Sequence, residues 1–78
     1  MLKLTEIKTK TYEYENGFFV DIVDDGAAIA AYLWHQEYGV KELMFGQDNT
    51  QGDEASFMSI VAANLPEYIG FYADDYMN

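Results

Sequence analysis

Two hairpin signals divide the first half of the chain, "ENG" at 15–17 and "DDG" at 24–26, and apolar residues return after "EYG" at 37–39. Asn and Gly tolerate the positive φ that tight hairpin turns require. Six residues separate the two signals, "FFVDIV", which is too few for a stable helix and enough for a strand. In a strand Phe18, Val20 and Ile22 share one face, while Phe19, Asp21 and Val23 share the other. Upstream, "EIKTKTYEY" at 6–14 alternates and is rich in Thr and Tyr, which suits a partner strand.

Residues 27–35 admit two readings. As a helix, Asp25 is the N-cap, the alanines supply propensity and Gly39 is the stop. As a strand, Ile29, Ala31 and Leu33 lie on one face and Tyr32 and Trp34 on the other. Consecutive hairpin signals, and the return of apolar residues after "EYG", favour the strand and hence a meander. "VKELMFG" at 40–46 is then a short fourth strand, with Leu33 and Phe45 turned toward whatever covers the sheet.

Beyond a loop at 47–54 the period changes. Phe57, Ile60, Val61, Leu65, Tyr68, Ile69, Tyr72 and Tyr76 recur at three- and four-residue spacing, the signature of an amphipathic helix. "NLPE" interrupts the run: Asn64 can cap a new helix, Glu67 completes a capping box, and Pro66 fits a first turn. Helices are expected over about 53–63 and 65–76, the second standing alone or as a kinked continuation. The expected fold is α+β: an antiparallel three- to four-stranded meander over about 6–46, followed by two C-terminal helices, or one kinked helix, packed on one face. Seventy-eight residues make one domain, 1–78, with one modest core.

Composition narrows the function classes. The chain has no cysteine, which removes disulfides, thiolate metal sites and cysteine nucleophiles. Its longest apolar run, "GAAIAAYLW", is far short of the ~20 residues that span a bilayer, and no apolar leader segment opens it. A soluble cytoplasmic protein is expected. The net charge is −10, and three of the four basic residues, Lys3, Lys8 and Lys10, lie in the first ten positions. From residue 11 onward Lys41 faces thirteen acids, so direct binding to nucleic acid or to an anionic membrane is disfavoured. Such a surface attracts basic proteins instead.

Chemistry-bearing patterns are sparse. His35 near Glu37 offers a general base tuned by a carboxylate, yet Ser56 and Ser59 carry no nucleophile motif; a structural, partly exposed His fits better. Asp48, Thr50, Asp53 and Glu54 offer oxygen ligands to a hard cation, but the sixth and twelfth positions counted from Asp48 are Asp53 and Ser59, where a calcium loop needs Gly and Glu. No phosphate loop, dinucleotide fingerprint or paired-histidine zinc motif is present, and no cofactor or metal is expected. Tyr68, Tyr72 and Tyr76 repeat at four-residue intervals, as a core stripe does, although tyrosine is also a common interface anchor. Asp74 and Asp75 oppose the helix dipole, a cost that an acidic binding surface or a frayed, solvated helix end would explain equally.

The sequence therefore points to a small non-enzymatic interaction module. Asp21, Asp24, Asp25, Glu37 and Glu42, with Tyr72, Asp74, Asp75 and Tyr76, are its candidate partner-binding residues. The expected partner is a basic, nucleic-acid-binding protein whose groove an acidic surface imitates. In composition, though through no motif, the chain is similar to the small acidic inhibitors of restriction and CRISPR nucleases carried by phages and plasmids. The alternative is a self-associating structural subunit that forms a homodimer through an edge strand or an aromatic patch around Tyr32 and Trp34.

Overall fold

A computed structural model describes residues 8–48 and 54–77. Four strands, β1 (Lys8–Glu13), β2 (Phe18–Asp24), β3 (Ala28–His35) and β4 (Glu42–Asp48), form one antiparallel sheet whose spatial order is the chain order. One helix follows, α1 (Glu54–Tyr72), and its last turn widens into a π-helical turn over Ala73–Met77. The fold is α+β, a meander with a single helix. No helix among the described residues is long and apolar enough to cross a membrane.

The hairpin chemistry is local. Asn16 and Gly17 take φ of 61° and 83° in the first turn, and the Tyr14 amide donates to the Phe18 carbonyl at 2.8 Å. Gly17 is also fixed by its neighbour: a Cβ there would lie 2.9 Å from His35 Nε2. In the second turn Asp25 Oδ1 accepts from the amides of Ala27 and Ala28, and Asp24 Oδ1 from that of Gly26. The amides of Tyr38 and Gly39 close the third turn on the His35 carbonyl.

Of residues 27–35, Ala28–His35 are strand, and register shows why pairing overrides the helical propensity of the alanines. Phe18 to Asp24 pair one for one with His35 to Ile29, so the even-numbered residues of β2 and the odd-numbered residues of β3 lie side by side on one face. Phe18, Val20, Ile22, Ile29, Ala31 and Leu33 point to one side. There they meet Phe57, Val61, Leu65 and Tyr72 of α1, and Met44 completes the core. Ala31 has no exposed surface, and its small side chain lets the helix come close. In β4, Ala31 pairs with Phe45 and Tyr32 with Leu43, so Met44 is the extra residue of a β-bulge. The bulge lets Phe45 reach the Phe57 ring, at 5.3 Å between centroids, while Met44 is buried beside it.

Of the two arrangements expected around "NLPE", two helices or one kinked helix, the single helix forms: α1 runs unbroken through Pro66. Asn64 caps nothing, and its side-chain amide donates back to the Ile60 carbonyl at 2.8 Å. Pro66 is exposed, so the Ala62 carbonyl it leaves unpaired within the helix lies on the solvent side. Val61 and Leu65 before it and Tyr72 after it are anchored in one core, and that burial outweighs the lost bond. Pro66→Ala should therefore raise the unfolding free energy by about 1–2 kcal/mol, the helix-interior gain less the extra freedom of the unfolded chain. Urea denaturation reads it directly. Ile60, counted above in the apolar stripe, is instead exposed.

Candidate functional site

The last turns of α1 place Tyr68, Phe71, Tyr72, Asp75 and Tyr76 at i, i+3, i+4, i+7 and i+8, one face of the helix, above the start of β4. Between them lies a groove of about 150 Å³. Leu33, Met44 and Tyr72 form its floor, and Leu43 and Phe71 its walls, each more than half exposed. Glu42 and Asp75 stand on the rim. Its volume is below the ~300 Å³ of small-molecule sites and suits one large side chain. The Tyr76 hydroxyl donates to the Glu42 carboxylate, tying the helix end to β4. Tyr68 meets Phe71 edge-on at 6.0 Å, and Tyr72 lies 4.7 Å from Tyr76.

Tyr72 is an anchor of the fold. It is 2% exposed, its hydroxyl donates to the Val40 carbonyl at 2.6 Å, and it accepts from the His35 amide at 3.3 Å. His35 is buried, where the sequence suggested partial exposure, and both ring nitrogens are engaged. The Glu37 amide donates to Nδ1, which leaves Nε2 to carry the proton and donate to the Asn16 carbonyl at 2.8 Å. Phe18 packs edge-on to the ring at 4.8 Å. This imidazole holds two loops together, and no substrate reaches a free nitrogen.

On the opposite face of the sheet stands a second polar centre. Asp21 has 4% of its surface exposed although no helix lies on this side. Thr11 Oγ1 and the Trp34 indole N–H donate to its Oδ1 at 2.8 and 3.1 Å. Lys41 Nζ lies 2.7 Å from Oδ2 and 5.5 Å from the Trp34 ring centroid. The Phe19 ring stacks on Trp34 at 4.5 Å. Burial pushes the Asp21 carboxyl upward, but the hydrogen bonds from Lys41, Trp34 and Thr11 and the Lys41 charge outweigh it and hold it below the ordinary value.

The structure gathers only part of the set expected from sequence. Glu42, Tyr72, Asp75 and Tyr76 meet at the groove, with Asp74 exposed in the same last turn. The middle-segment acids do not share one outer face. Asp21 is satisfied inside the molecule, Asp24 and Asp25 close the β2–β3 turn, and Glu37 lies in the β3–β4 turn at the other end of the sheet. Two amide donors, Ala28 and Ala27, hold the Asp25 carboxyl below its ordinary value. Leu43 and Phe71, the groove's exposed walls, were not singled out by the sequence. The available signal for Phe71 was a large apolar residue three positions beyond Tyr68, at the edge of the tyrosine stripe.

Among the described residues no three His, Asp or Glu side chains gather closely enough to hold a metal ion. Of the loop weighed for calcium, Thr50 and Asp53 lie outside the described residues; Asp48 ends β4, and Glu54 opens α1, paired with Lys10 at 3.1 Å. No family model, no curated protein and no solved structure matches the chain.

Proposed function

We propose that this chain is a small non-enzymatic interaction module that binds a basic protein through the groove between β4 and the end of α1. One observation carries the reading: two apolar walls, Leu43 at 56% and Phe71 at 54% exposure, enclose a pit rimmed by the carboxylates of Glu42 and Asp75. An apolar centre with a charged rim is how interface hot spots are built. The complementary ligand is a segment presenting one large apolar side chain flanked by Lys or Arg. With a net charge of −10, long-range attraction steers such partners in and repels nucleic acid. The narrower version, a nucleic-acid mimic inhibiting a DNA- or RNA-binding protein, draws on the same charge.

The test is capture of native partners on immobilised protein, eluted with salt, beside Phe71→Ala and Asp75→Lys. Both residues are exposed, so circular dichroism should show the fold retained. A basic protein retained by the parent chain, and bound about tenfold or more weakly by each variant, supports the reading. Equal retention by all three proteins retires the groove.

A further inference from the structure

The side of the sheet turned away from α1 is apolar at its centre, where the one acid, Asp21, is paired, in a chain that is strongly acidic elsewhere. Phe19, Val23, Ala30, Tyr32 and Trp34 stand on it half-buried, and Leu43 more than half exposed. Its central charges cancel, because Asp21 is bonded to Lys41. Glu13 and Asp48 occupy diagonally opposite corners, opposite Phe19 and Ala28. Two copies at −10 each repel unless the middle of their contact is free of unpaired acids, and this face keeps Glu13 and Asp48 to its corners.

We infer that this open face docks on the same face of a second copy, forming a twofold sheet-on-sheet dimer. The face is self-complementary in shape. Its bulky half holds Phe19, Trp34, Tyr32 and Leu43; its flat half holds Val23, Ala28, Ala30 and Gly46. Gly46 keeps that half flat, since a Cβ there would lie 3.2 Å from the Ile29 carbonyl oxygen and 3.4 Å from the Ala30 Cβ. A twofold axis lying across the strands sets the bulky half of each copy on the flat half of the other. It also brings the Asp48 corner of one over the Lys41 corner of its mate. The sheet edges are poorer candidates: Lys10 of β1 is held by Glu54 and β4 is bulged, both of which blunt edge pairing. Four strands ~4.8 Å apart and about seven residues long offer about 450 Å² of face per copy. A total near 900 Å² belongs to weak, reversible association.

The experiment is sedimentation velocity on the full chain from about 10 μM to about 1 mM, at about 0.05 M and about 0.5 M salt, with Trp34 emission recorded in parallel. The expected result is a doubling of mass that strengthens with salt, because screening relieves repulsion and leaves apolar contact intact. Trp34, the sole tryptophan, should shift to the blue over the same concentrations. Ala30→Lys lowers the net negative charge yet sets a cation in the centre of the contact, so it should abolish the dimer with circular dichroism unchanged. A monomer at every concentration and salt overturns the inference. So does a dimer that leaves Trp34 emission unmoved, a wild-type readout that stands even if Ala30→Lys fails to fold. Leu43 borders both surfaces, so the readings are separated by salt, which weakens binding of a basic partner at the groove, and by Phe71→Ala, which touches the groove alone and should leave dimerisation unaltered.

Discussion

Asp21→Ala should lower the unfolding free energy by about 2–4 kcal/mol. A chain of this length holds only ~4–12 kcal/mol in all, so this single carboxylate decides whether the fold is comfortably or barely stable. Its removal strands the indole N–H of half-buried Trp34, while the hydroxyl of exposed Thr11 can turn to water. Lys41 suffers less, because its side chain is 56% exposed and can turn to water. Asp21→Asn keeps one acceptor oxygen and loses the charge, and should cost about 1–2 kcal/mol at neutral pH. The pH dependence has a definite sign. The folded carboxyl titrates below its ordinary value of 3.8, so its contribution is fully present above that value and is lost as pH falls through the folded-state value. Urea unfolding of parent and Asp21→Asn should therefore differ by a constant amount near neutrality and converge in acid. A gap that persists unchanged in acid would show that the ion pair contributes nothing.

The same residue marks where the sequence stopped being legible. Asp21 sits at an alternating position of "FFVDIV", and the pattern placed it on the face opposite Phe18, Val20 and Ile22, which is the face away from the core. Its burial depends on Trp34 and Lys41, thirteen and twenty residues away, which only the register of the hairpins brings over it. A lone lysine among thirteen acids was the available clue. The β3 strand was readable for the opposite reason: the turns on either side are local chemistry, and once they form, pairing is forced. Pro66 misled because capping is a local signal too, and here it lost to burial of Val61, Leu65 and Tyr72 along one continuous core. Tyrosines at four-residue spacing are identical in sequence whether they face a core or a partner. Only the position of the sheet beneath them separates buried Tyr72 from Phe71, one residue away and 54% exposed.

Tyr72→Ala should cost about 3–5 kcal/mol, enough to leave much of the chain unfolded at room temperature. The ring is among the largest fully buried side chains, packed 5.8 Å from Phe18 and 4.7 Å from Tyr76. Deleting it opens a cavity under the groove and strands the His35 amide, whose acceptor is the Tyr72 oxygen. Tyr72→Phe isolates the hydroxyl. The exposed Val40 can find water for its carbonyl, but the buried His35 amide cannot, so the cost should be about 1–2 kcal/mol with the fold intact. Circular dichroism and urea midpoints for the pair, read beside Phe71→Ala, divide scaffold from surface. Tyr72→Ala should lose structure, while Phe71→Ala should keep its midpoint within about 0.5 kcal/mol and lose only partner binding. A folded Tyr72→Ala with a normal midpoint would reverse the assignment and make Tyr72 the interface anchor. Its 2% exposure argues against that: a partner cannot touch a side chain that the protein's own core already surrounds.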